Sequence, residues 1–314
     1  MSIFSYLAAT SSSSAGPPDQ SAGAAYFVGG YTGWPPVNTM EKLTFATASI
    51  ETLSAVLATA RSHFAGNPSS SHGYIAGGYV NGAGANLSSM EKLVFSSDSN
   101  AAISDTLSAA RRSLGSFASA NDGYWVGGYE AGSVDTIDKT DFSDDGTAAI
   151  TPDLDTARFG NGTFASADDG YYCGGYQNGG SPIVDDISKT DFTNDATADI
   201  TPTLSIARYL IHGFASADDG YSCGGGNAST RMDVIDKTDF TDDSTAAITP
   251  VLTTLRDGGT CTQSASHGYY AGGYAPSAAS TNINQLDFSD DSVVSMETTL
   301  AAAKINLTSY ASAS

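Results

Sequence analysis

Apolar and polar residues in this chain follow a short, two-residue rhythm. Segments such as GSFASA, GYYAGG, IDKTDF and TAAIT alternate or cluster apolar and aromatic residues between turn-forming phrases such as ADDG and SDDG. A period of two, broken every few residues by Gly, Asp and Ser, predicts short β-strands instead of helices. The pattern is itself periodic. A Gly-Gly pair follows an apolar-aromatic run six times, beginning at Gly29, Gly77, Gly127, Gly174, Gly224 and Gly272, 47 to 50 residues apart. A Lys recurs at 42, 92, 139, 189 and 237, with Gln285 in its place in the sixth unit. An Arg recurs at 61, 111, 158, 208 and 256, with Lys304 in its place at the end.

The spacings between these landmarks fix the architecture. Lys to Arg is 19 residues in every unit, and Arg to the next Gly-Gly is 16; only Gly-Gly to Lys varies, from 12 to 15. Each unit therefore holds two rigid segments and one variable loop. Four antiparallel strands fit into about 48 residues, with Asp-Gly turn chemistry expected between the first two. Six such units predict an all-β, six-bladed β-propeller. The chain stops ten residues after Lys304, where a Gly-Gly strand should follow, and enters near Ala24, where that missing strand begins. The C-terminal strand is thus expected to pair with the N-terminal blade and close the ring, which removes exposed strand edges. The expected division is an arm over 1–23, flexible or docking, and a propeller over 24–314.

The glycine pairs, the following Tyr and the blade length resemble kelch repeats over residues 24–314. The downstream Trp of the usual kelch pattern is missing, and Pro-x-Leu-x-x-Ala-Arg phrases occupy that region. The KTDFS-type strands and near-identical acidic turns are similar to kelch-like propellers of tailed, especially marine, bacteriophages. That resemblance implies a non-enzymatic virion structural protein: a tail, fibre or head-decoration module. It would be made in the host cytoplasm, homo-oligomeric in an assembly, and joined to other virion proteins through its arm. Propeller loops would face a host-surface glycan or protein. The alternative is a bacterial carbohydrate-directed propeller, lectin or lyase.

Composition narrows the partners. Among 314 residues, 34 acidic and 13 basic side chains give a formal net charge of −21. A field of that sign repels phosphate backbones and anionic lipid, so neither nucleic acid nor membrane surface is an expected partner. No apolar run reaches the ~18 residues needed to span a bilayer. The N-terminus has no basic residue before Lys42, so no export signal is read there. Cys173, Cys223 and Cys261 form no disulfide framework; the first two fall at equivalent repeat positions and read as small buried side chains.

Of the 13 basic residues, all but Arg112 and Arg231 stand at the landmarks, a symmetry expected of pairing within and between blades and not of a ligand site. Thirteen Asp in the first and third turns gather on one rim, where turn chemistry and solubility explain them better than a cation cage. The four His are scattered, no phosphate loop or nucleophile elbow occurs, and no carboxylate pair stands out. No catalytic residue, cofactor or metal site is assigned. Candidate contacts lie in the variable loops, on the opposite face: Trp34, Asn81, Gln177, Asn178, Asn227 and Arg231. Ile3, Phe4, Tyr6 and Leu7 have no place in a closed core, which suits an anchoring arm.

Overall fold

Six four-stranded antiparallel sheets account for the repeat, one per unit, in a computed structural model that describes residues 23–33, 35–80, 84–178, 183–227 and 229–312. The arm residues Ile3, Phe4, Tyr6 and Leu7 lie outside that range. Within a blade the strand after the Arg landmark is innermost, followed outward by the Gly-Gly strand, the Lys strand and the strand after the acidic turn. Blade 3 has Gly115–Ala118, Asp122–Val126, Ile137–Asp141 and Thr147–Ala149 in that order. Blade 1 is composite: the C-terminal strand Thr308–Ala311 pairs with Ala24–Val28, placing Ala311 opposite Ala25 and Thr308 opposite Val28. The ring closes where the spacing predicts. Among the described residues no helix is long and apolar enough to cross a membrane.

The blades adhere through stacked rings. A Tyr from the second strand stacks on a Phe from the next blade's acidic turn at all six seams, with centroids 4.8–5.6 Å apart. Such pairs add about 0.5–1.5 kcal/mol each beyond their buried area. At four seams a third ring, from Tyr310, Phe117, Phe164 or Phe214, lies over a glycine of the next blade. A Cβ on Gly73, Gly170, Gly220 or Gly268 would stand 2.0–2.1 Å from that ring. These four glycines, in His-Gly-Tyr and Asp-Gly-Tyr phrases, are therefore sockets for a neighbour's ring. The turn before each is made by serine: the Ser166 hydroxyl accepts the N–H groups of Asp168 and Asp169 at 3.2 and 2.9 Å. This corrects the expectation of Asp-Gly turn chemistry. Between blades 6 and 1 both partners change together, Thr262 replacing the ring and Ala25 the glycine.

The landmark cations are consumed in the ring. Lys42, Lys92, Lys139, Lys189 and Lys237 each reach across a seam to Asp98, Asp145, Asp195, Asp243 and Asp291 at 2.5–3.2 Å. Each of these Asp also accepts the hydroxyl of a seam Tyr (26, 74, 124, 171 or 221) at 2.7–2.8 Å. Burial and the adjoining carboxylate both push these tyrosines above their ordinary pKa. Between blades 6 and 1 the triad is missing: Gln285 stands for the Lys, Ala48 for the Asp, and the Gln285 amide donates to the Tyr269 hydroxyl at 3.3 Å.

The Arg landmarks are buried. Arg61, Arg111 and Arg208 pair with Glu91, Asp138 and Asp236 at 2.6–2.8 Å, and Lys304 with Glu41. Arg158 and Arg256 meet Ser188 and Asn284 at the corresponding positions, and donate to the backbone carbonyls of Tyr172 and Gly272 as well.

Candidate functional site

The variable loops and the connections that carry the Arg landmarks share one face, and beneath it the innermost strands surround an axial channel. Two residues beyond each landmark, at His63, Ser113, Gly160, Leu210, Gly258 and Asn306, the backbone turns left-handed, with φ between 50° and 66°. That turn aims each N–H at the carbonyl of the same position in the adjacent connection. The N–H of Ser113 donates to His63, Gly160 to Ser113, Leu210 to Gly160, Gly258 to Leu210, Asn306 to Gly258 and His63 to Asn306, at 2.5–3.3 Å. Six backbone hydrogen bonds form a closed circle around the axis. No group of that circle needs water, so it caps the channel at the loop face.

Below the cap is a cavity of about 140 Å³ walled by all six innermost strands, among them Asn67, Asn161, Thr163, His212, Cys261 and Ser309. Asn161 is a core position that holds Phe64, Leu114, Ile211 and Leu307 in other blades, yet its buried amide has no partner among the described residues. His212 faces the cavity and makes no side-chain hydrogen bond there; burial lowers its pKa to about 4. Burial, with the Arg112 charge added, does the same for His63 in the cap, also to about 4. Both rings are neutral at pH 7. The cavity is polar and large enough to be filled by ordered water.

The loop face itself carries an aromatic arc outside the cap. The residue after each Gly-Gly bridges to the residue after the preceding Arg, so the two rows of side chains lie side by side: Tyr79 with Ser62, Tyr129 with Arg112, Tyr176 with Phe159, Gly226 with Tyr209. The Arg112 guanidinium is held between the rings of Tyr79 and Tyr129, 4.9 and 4.6 Å from their centroids. Phe159 follows, 5.2 Å from Tyr129 and 5.3 Å from Tyr176, and Tyr176 lies 5.8 Å from Tyr209. The stack spans blades 2 to 5 and stops where Gly226 replaces the tyrosine. All six members are half-buried.

The loop candidates separate into two groups. Gln177 is half-buried and Asn178 exposed, both directly after Tyr176, and neither side-chain amide has a hydrogen-bond partner among the described residues. Asn227 is used locally, its side-chain oxygen accepting the N–H groups of Ser229 and Thr230 at 3.0 and 3.1 Å. Arg231 ties two blades together: it pairs with Asp257 at 3.2 Å and lies 4.4 Å over the Tyr274 ring. Trp34 and Asn81 lie outside the described residues. Sequence reading did not single out the arc, because its members occupy repeat positions and repetition reads as structure. The usable signal was the row of large aromatics directly after the Arg landmark, Phe159 and Tyr209, where other units have Ser62, Asp257 and Ile305.

The opposite face is spent on itself. The side-chain hydroxyl of the residue two ahead, together with its backbone N–H at 2.7–2.8 Å, lowers the pKa of Asp141, Asp191 and Asp239, and the same two groups, the N–H first, lower that of Asp287. Asp169 and Asp219 pair with Lys189 and Lys237 at 3.1 Å. Among the described residues no three His, Cys, Asp or Glu side chains are placed to hold a metal. Cys173 and Cys223 are buried free thiols, and burial pushes Cys173 up to about 12. Compared with protein-family models and with curated proteins, the chain matches none of them.

Proposed function

We propose that this propeller is a non-enzymatic display module of a phage particle, a tail, fibre or head-decoration component. In this reading the loop face meets host surface or neighbouring subunits, and the N-terminal arm holds the module to other virion proteins. The observation that carries it is the allocation of polar groups. Cations at repeat positions are absorbed by seams and blade interiors, whereas the loop face keeps aromatic rings and side-chain amides with unsatisfied capacity. A rigid ring that spends its charges on itself and leaves one irregular face available is built for recognition. The kelch-like repeats and the phage-like strand and turn phrases supply the setting.

The test is gold-labelled antibody against the propeller, imaged on purified virions from the source culture. Label at a fixed place on head or tail is expected, and removal of residues 1–23 should abolish it while leaving thermal unfolding unchanged. Unlabelled particles beside soluble protein in the lysate would overturn the virion role. The aromatic arc would then favour the carbohydrate-directed alternative.

A further inference from the structure

Two sets of tyrosines at repeat positions differ in what their hydroxyls meet. Seam tyrosines such as Tyr171 donate their hydroxyl to an Asp. The hydroxyls of Tyr79, Tyr129, Tyr176 and Tyr209 make no hydrogen bond among the described residues. Together with Phe159 they form a row of five half-buried rings, Arg112 lying between the first two and the last four meeting edge-on or tilted at 78°, 40° and 68°, bordered by the amides of Gln177 and Asn178, which have no partner among the described residues. The one charge in the stack is already engaged: Arg112 donates to the Asn86 side chain at 3.0 Å while lying between two rings.

We infer that this arc binds an uncharged pyranose polysaccharide, the inference resting on the reading that the loop face is the recognition surface. An aromatic face is negative, and the C–H bonds on one side of a pyranose ring present the weakly positive edge that such a face attracts. Sugar hydroxyls need both donors and acceptors around the ring, which amides and phenol hydroxyls supply together. Successive rings 5.2–5.8 Å apart, turned edge-on or tilted to one another, present faces and edges in a row across blades 3 to 5 and suit a chain better than a single sugar. An acidic polymer would meet the repulsion of a molecule with net charge −21. A peptide would leave its own backbone groups to be satisfied by a surface without a free strand edge at the arc.

The test uses the full chain on a glycan array carrying neutral, amino-substituted and acidic oligosaccharides and polysaccharides. Binding to neutral pyranosides is expected, with about tenfold weaker apparent affinity in Tyr129→Ala and in Tyr176→Ala, the loss usual for a contact residue at the centre of an interface. Gln177→Ala/Asn178→Ala removes hydrogen bonds without touching the stack, so it should weaken binding while thermal unfolding stays at the wild-type temperature. Binding confined to acidic glycans, binding indifferent to all three variants, or no binding to any neutral glycan would overturn the inference. Virions that carry the label while the array stays blank would reject the glycan and retain the display role; the reverse pattern would reject the virion role alone.

Discussion

The two faces of the ring are made from the same repeat, yet they use tyrosine in opposite ways. On the acidic-turn face every seam Tyr is stacked, and at five of the six seams its hydroxyl is given to an Asp that also holds a Lys. On the loop face Tyr129, Tyr176 and Tyr209 meet one another, Phe159 and Arg112 edge-on, tilted or through a cation, and their hydroxyls have no hydrogen bond among the described residues. The physical distinction is what stands opposite. The acidic turn of the next blade, with its αL Asp, faces the five tied tyrosines; the half-buried loop surface carries the second set. Residue type and repeat position therefore do not mark function here. What separates the arc is a hydroxyl without a partner among the described residues on a ring that is not fully buried, unlike the unpartnered but buried hydroxyls of Tyr270 and Tyr310.

The largest effects should come from the interior that joins the faces. Asp236→Ala leaves the fully buried Arg208 guanidinium without its carboxylate and also removes the acceptor of the Ser205 N–H, 3.1 Å away. A loss of about 3–5 kcal/mol in denaturant unfolding is expected. A variant as stable as the parent would mean that the carbonyls of Ser222 and Gly224 suffice for Arg208.

A smaller effect follows from the channel, where the half-buried His212 ring makes no side-chain hydrogen bond among the described residues. The His212 pKa is lowered to about 4, so the folded state resists protonation that the unfolded chain accepts near 6.5. Its contribution to stability is complete above pH 6.5 and is lost as pH falls toward 4. Denaturant titrations at pH 7 and pH 4.5 should differ by about 2 kcal/mol less in His212→Gln than in the parent. An unchanged difference would show that channel water solvates the imidazole well enough to keep its ordinary pKa.

The comparison of faces is sharpest as a matched pair of substitutions. Tyr171→Phe deletes a hydroxyl bonded to Asp243 at 2.7 Å and should cost about 1 kcal/mol. Tyr176→Phe deletes a hydroxyl with no partner among the described residues and should leave thermal unfolding unchanged. Equal losses would dissolve the distinction between tied and available tyrosines.

Blade number, the composite first blade and the choice of faces were legible in the sequence because two spacings, 19 and 16 residues, hold in every unit. Rigid spacing reflects rigid geometry. The glycine before Tyr74, Tyr171, Tyr221 and Tyr269 was legible as a residue and not as a cause, because its reason is Tyr310, Phe117, Phe164 or Phe214 on a different blade. The circular hydrogen-bond cap was invisible for a related reason. Its positions read His, Ser, Gly, Leu, Gly and Asn, with no common side chain, since only backbone atoms act there. The site was half legible: Gln177 and Asn178 stood out as loop residues, whereas the arc beside them was hidden in the repeat.

The smallest expected effect is a gain, at the one seam without a triad. Ala48 adopts φ 48°, in the region where the equivalent Asp residues sit at 51–66°, and Gln285 occupies the Lys position opposite. Asp tolerates that backbone better than Ala, so Ala48→Asp alone should help by a few tenths of a kcal/mol, or about that. Gln285→Lys alone places a cation beside the Tyr269 ring with no carboxylate to receive it and should be neutral. Together they rebuild the Tyr–Lys–Asp contact seen at the other five seams, adding a coupling of about 0.2–1 kcal/mol, the range of partly exposed ion pairs. The coupling is measured by a double-mutant cycle at low and high salt, and it should shrink as salt rises. A coupling of zero would mean that the five natural triads serve to place the acidic turns and add little to the cohesion of the ring, which the stacked Tyr and Phe would then carry alone.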